Sequence, residues 1–164
     1  MAVKYLTAEE IAALGVKFDV RLMDNGEYRT RVRNPDGSSY ILTMMPDDVP
    51  GAWQKSHSHK GVVETYSVQK GWIGYVEQIE GFPKLSICEA GEEFTTHTGV
   101  AHNVFMSSGS VIHTVKRGDF SAIHQNHAMK GEDRWPSPEL DSYCGMVTLE
   151  QLEELIRANH GICS

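Results

Sequence analysis

From about residue 18 to residue 123 the chain repeats one pattern: a short run of alternating apolar and polar residues, then a glycine-containing turn. "FDVRLMDNGEYRTRV" alternates on both sides of Asn25-Gly26, a dipeptide that favours the tight turn of a β-hairpin. "NPDGSSYILTMM" adds another turn and another strand, and later segments are broken at Gly71, Gly81, Gly91, Gly99, Gly109 and Gly118. No strand in such a series is long enough to bury its apolar face alone. Many short strands joined by tight turns close into a sandwich or a barrel, so the expected class is all-β.

Two segments depart from this period. "LTAEEIAALG" reads as a short helix, with Thr7 and Glu10 as a capping box, Leu6 and Ile11 as a staple, and Gly15 as the stop. "VTLEQLEELIRANHG" repeats the same signals with Thr148, Gln151 and Gly161, and carries a stripe of Leu149, Leu152, Leu155 and Ile156. The reading is one domain over residues 1–164: an N-terminal helical arm over 1–17, a barrel over 18–123, an irregular segment over 124–146 that Pro136 and Pro138 keep from regular structure, and a helix over 147–160 packed on the barrel.

Charge and composition remove several functions. With 15 basic against 22 acidic residues the net charge is -7, the wrong sign for a nucleic-acid or membrane-surface partner. No apolar run approaches the roughly 18 residues of a membrane span, and the N-terminus lacks a secretory pattern. Cys88, Cys144 and Cys163 are odd in number and far apart, which fits a reducing cytoplasm.

The stretch "SHSHKGVVETYSVQKG" places His57 and His59 two residues apart, on one face of a strand, with Glu64 following across a turn at Lys60-Gly61. Downstream, "GEEFTTHTGVAHNVFM" supplies His102. These two stretches resemble the paired motifs of the cupins, small β-barrels of the jelly-roll (double-stranded β-helix) type. Gly51, His57, His59, Glu64 and Gly71 match every fixed position of the first motif, G-x5-H-x-H-x4-E-x6-G. Gly91, Gly99 and His102 match the second, while His97 replaces its usual proline and Met106 its usual asparagine.

The resemblance implies that His57, His59, Glu64 and His102 converge on one divalent metal per chain. Three imidazoles and a carboxylate suit Mn, Fe, Co, Ni, Cu or Zn alike. Alternation predicts that Val62, Tyr66, Val104 and Met106 line a substrate pocket beside the ion. In "SVIHTVKRG", assigning Lys116 to solvent turns His113 inward, where it would serve as an acid or base, orient a metal ligand, or sit as a buried, neutral, hydrogen-bonded histidine. His97 reads as an exposed turn residue, and His124 and His127 as loop residues.

The resemblance implies three function classes: a metal-dependent isomerase or epimerase acting on a small polar, sugar-like metabolite; an iron-dependent dioxygenase; and a non-catalytic binding module. It also implies a homodimer paired through the strands near the N-terminus.

Overall fold

Fifteen short elements form in the order that the alternating segments predict, in a computed structural model that describes residues 3–120 and 135–161. Helix α1 (Ala8–Ala13) is closed by its capping box: Thr7 Oγ1 accepts from the Glu10 amide at 3.2 Å, and Glu10 Oε2 accepts from the Thr7 amide at 2.9 Å. Both staple residues, Leu6 and Ile11, stay exposed, so this helix adds little to the core. Strands β1 (Lys17–Leu22) and β2 (Tyr28–Arg33) form the predicted hairpin, with Leu22 opposite Tyr28. Gly26 sits at φ +89°, in the left-handed region that the turn requires and side chains resist.

The chain continues through β3 (Ser39–Met44), β4 (Ala52–Trp53), β5 (His57–Ser58), β6 (Val62–Lys70), β7 (Trp72–Ile79) and β8 (Phe82–Glu89). Then follow β9 (Glu93–Thr95), β10 (His102–Met106), β11 (Val111–Gly118) and β12 (Trp135–Pro136). They build two antiparallel sheets, β1-β2-β3-β11-β6-β9 and β12-β5-β10-β7-β8, with β4 on β10. Neighbours that are distant in sequence, such as β3 with β11 and β5 with β10, give the jelly-roll crossovers. The sheets face each other over a core that includes Tyr66, Val68, Ile73, Tyr75, Val104 and Ile112.

The segment expected to be irregular is not so throughout. Residues Pro138–Cys144 form helix α2, with proline in the first turn. A proline there loses nothing, because the first amides of a helix have no partner within it. Leu140 and Cys144 of α2 pack with Val76 outside the second sheet. Helix α3 (Leu149–Gly161) follows, and of its apolar stripe Leu152 is fully buried while Leu149 and Leu155 remain exposed. Among the described residues, no helix is long and apolar enough to cross a membrane.

Candidate metal centre

The three histidines arrive on β10 and on the segment that begins with β5. His57 on β5 is paired with His102 on β10, and His59 follows His57 at the two-residue spacing that keeps both on the inner face. Glu64 comes from β6 in the opposite sheet. Gly51 permits this closure, since a Cβ there would lie 2.8 Å from the Met106 carbonyl oxygen and 2.6 Å from the Phe105 ring. The strand carrying His57 is held from outside by α2, where Asp141 Oδ1 accepts from the Ser56 amide at 2.8 Å.

All four side chains are buried, and one ligand atom from each lies within 4.8 Å of every other. Glu64 Oε2 is the focus: it stands 2.9 Å from His102 Nε2, 3.4 Å from His59 Nε2 and 3.6 Å from His57 Nε2. The far ring nitrogens of His57 and His102 are fixed. His57 Nδ1–H donates to the Lys55 carbonyl at 2.8 Å and His102 Nδ1–H to the Val100 carbonyl at 3.2 Å. These bonds select the tautomer that turns both Nε2 lone pairs toward the centre. The His102 ring nitrogens lie at hydrogen-bond distance from the Val100 carbonyl and from Glu64 Oε2. The donor set fits a divalent transition metal.

A fifth residue shares the centre. Lys116 on β11 is 5% exposed, and its Nζ lies 2.8 Å from Glu64 Oε1 and 3.2 Å from His59 Nε2. Burial pushes the Glu64 carboxyl up, but the Lys116 ammonium and the His102, His57 and His59 rings around it outweigh this, holding the group well below the usual carboxylate range. Tyr66 donates its hydroxyl to Glu64 Oε2 at 2.7 Å. Lys116 and Tyr66 thus fix the two oxygens of the carboxylate separately. A metal taken up by the histidines would replace Lys116 at His59 Nε2 and leave it on Glu64 Oε1.

The position of Lys116 corrects the reading of His113. The inner face of β11 carries Ile112, Thr114 and Lys116, so His113 points out of the barrel. Its ring bonds Tyr40 Oη at 2.6 Å and the Gln69 side chain, away from the four-residue cluster. The expectation rested on sending the lysine to water; the buried Glu64 carboxylate, paired with Lys116 across the β6–β11 register, is what draws it inside.

The pocket residues divide. Val62, Val104 and Met106 are inward and buried as alternation predicts, with Val104 and Met106 in the packed core. The cavity that opens onto His57 and Glu64 is not lined by any of these three. Of the four expected residues it takes Tyr66 alone, and it is otherwise mostly polar, with Arg29, Arg31, Thr43, Gln54 and Lys116. The signal was present in "YRTRVR", whose arginines recur every second residue and so share one face of β2. His97 is an exposed turn residue whose Nδ1 lies 3.0 Å from Glu77 Oε1. Cys88 is buried, and burial pushes its thiol up to about 11. His124 and His127 lie outside the described residues.

No protein-family model matches the chain, and no curated protein matches its sequence. Solved structures do match it by shape. KdgF from Halomonas sp. superposes with a TM-score of 0.50 at 17% identity, over 64% of this chain and 90% of that one. Oxalate decarboxylase from Bacillus subtilis gives 0.56 at 17% identity, over 88% of this chain and 34% of the other, so the chain spans about a third of that protein. The cupin domain of Drosophila melanogaster CENP-C gives 0.51 at 13% identity, over 71% and 84%. At these identities the likeness is one of fold.

Proposed function

We propose that this chain, whose fold is that of the cupins, is a metal-dependent enzyme acting on a small polar metabolite by non-oxidative chemistry of the isomerase or epimerase type. The observation that carries the metal centre is the buried convergence of His57, His59, Glu64 and His102, with two of the imidazoles oriented from behind by backbone carbonyls. A divalent ion held there supplies a Lewis acid for a substrate oxygen. Oxalate decarboxylase, one of the structural neighbours, acts as its name says on a small polar acid, which is compatible with this reading.

The cavity lining favours a polar substrate over an apolar one. Thr43, Gln54 and Thr114 offer hydrogen-bonding groups, and the apolar side chains that would suit a greasy dioxygenase substrate are packed elsewhere. With His113 outside the barrel, Tyr66 Oη and Lys116 Nζ are, among the described residues, proton-bearing groups in contact with Glu64. Each sits on Glu64, within reach of a ligand in the cavity that both line.

The test is elemental analysis with oxygen-electrode measurements on the same preparation. The expected result is close to one divalent ion per chain and no oxygen uptake with small polyols, sugars or hydroxy acids. Stoichiometric, substrate-dependent oxygen consumption would transfer the assignment to the dioxygenase class.

A further inference from the structure

The cavity at the cluster is too small for a metabolite: it holds about 20 Å³, the space of about one water. A second cavity, of about 290 Å³, adjoins it, lined by the β1–β2 turn at Met23, Asp24 and Asn25 and by Trp53 and Lys55. Arg29 and Gln54 line both spaces, so these two side chains form the wall between them. Glu27, fully buried, holds the wall together. It is ion-paired with Arg29 and accepts from Gln54 Nε2 at 3.1 Å.

The two halves of this wall are held differently. Arg29 cannot leave without stranding the buried Glu27 carboxylate. Gln54 is pinned by its main chain, whose amide donates to the Val104 carbonyl at 2.8 Å and whose carbonyl accepts from Asn103 Nδ2 at 3.1 Å. Among the described residues, its side chain makes one hydrogen bond, the bond to Glu27. If that amide swings away, Glu27 keeps Arg29 as its countercharge, and the step costs a single hydrogen bond. The barrel has another opening, a cavity of about 340 Å³ between β8 and β9. There the way to the cluster is filled by rings: Phe94 stacks on Tyr66 at 5.0 Å and meets Tyr75 at 4.0 Å, and both tyrosines belong to the packed core. Opening that side unpacks aromatic rings, whereas opening the first moves one amide.

We propose that the cavity under the β1–β2 turn is the antechamber of the metal centre, and that the Gln54 side chain is its gate, closing against the fixed Glu27–Arg29 strut. This rests on the reading of the cluster as a metal site reached by a small polar metabolite. A molecule enters the outer cavity first and meets His57 and Glu64 when Gln54 turns aside. The two spaces joined can seat a metabolite that the inner one alone cannot. Gln54 acts here on access, not on the chemistry, and a gate of this kind changes the rates of entry and exit by one common factor and leaves the equilibrium between them unchanged.

The experiment has two arms on the full chain. In the first, metal-stripped protein is treated near neutral pH with diethyl pyrocarbonate, a reagent of metabolite size that acylates neutral imidazole nitrogens, and the labelling rate of His57 is read by peptide mass spectrometry. Q54A should label about tenfold faster than the parent, the effect of losing one hydrogen bond to a charged group, and F94L, which trims the barrier on the other side, should stay near the parent rate. In the second arm, zinc uptake and its removal by chelator are followed by stopped flow. Both rates should rise together in Q54A, with the zinc dissociation constant unchanged. Melting curves exclude labelling through unfolding, and Q54M, which keeps the volume and drops the bond, carries the test if Q54A does not fold. His57 labelling no faster in the Gln54 variant than in the parent, or a larger effect in F94L, overturns the proposal, as does a Gln54 variant whose zinc affinity falls while its uptake rate does not rise. A protein that takes up no zinc yet shows the faster labelling overturns the metal centre and leaves the gate standing.

Discussion

Replacing Lys116 with methionine keeps most of the side chain's volume and deletes its charge. The Glu64 carboxylate, 2% exposed, then loses the ammonium that stands 2.8 Å from its Oε1. Removing one partner of a buried pair costs about 3–5 kcal/mol, because the remaining charge is left in a medium that solvates it poorly. In a chain of this size each kcal/mol moves the melting midpoint by about 2–4 °C, so metal-stripped K116M should melt about 6–20 °C below the stripped parent. A divalent ion at the histidines supplies a new countercharge to Glu64. The same substitution should then cost less than half as much in the zinc-loaded protein, and zinc should raise the midpoint of K116M by more than it raises the parent's. Calorimetric melts at pH 8, with chelator and with one equivalent of zinc, measure all four states. A stripped K116M that melts within about 2 °C of the parent would show that Lys116 does not neutralise Glu64, and the account of the centre would have to be rebuilt.

The outward position of His113 predicts that H113Q keeps full metal content and whatever turnover is found, at a stability cost of about 1 kcal/mol for the bonds to Tyr40 and Gln69; a large loss of activity with normal folding would put the ring back in the barrel. Phe18, Val20 and Leu22 project from the outer face of β1, exposed beside Tyr28, Tyr40 and Met44, and a homodimer through this face is expected, with F18E/V20E dissociating it in light scattering; a parent protein that is monomeric from micromolar to hundreds of micromolar would refute this. Because the folded Glu64 carboxyl titrates below its unfolded value of about 4.3, its contribution to the stripped protein is present above that pH and lost as pH falls through the folded value. E64Q should flatten that part of the acid-denaturation curve, and an unchanged curve would argue against the depressed value.

The barrel was legible because its signals are local. Alternation and glycine turns mark strands without reference to what they pair with, and Asn25-Gly26 specified its hairpin outright. The spacing of His57, His59 and Glu64 was legible for the same reason: two-residue alternation puts both histidines on one face, and the short turn at Lys60-Gly61 brings Glu64 back to them from the opposite sheet. Lys116 was not legible. A lysine is assigned to water unless a buried partner is known, and its partner lies 52 residues away in sequence, on a neighbouring strand of a sheet whose order no local pattern reveals. That one inversion carried His113 to the wrong face. The arginines of β2 were overlooked on similar grounds: an alternating basic strand reads as a solvated face, and only the closed barrel shows that this face is the concave one. Pro138 illustrates a different limit, because proline ends a helix in its interior and begins one in its first turn, and the two cannot be told apart until the helix start is known.

The most direct test of the metal centre is a crystal of the zinc-loaded protein, with data collected on both sides of the zinc absorption edge. The expected result is one strong anomalous peak per chain, inside the barrel, about 2.0–2.2 Å from the Nε2 atoms of His57, His59 and His102 and from Glu64 Oε2, with Lys116 Nζ still on Glu64 Oε1. A loaded crystal with no anomalous peak among these four residues, or with its strongest peak elsewhere, would contradict it.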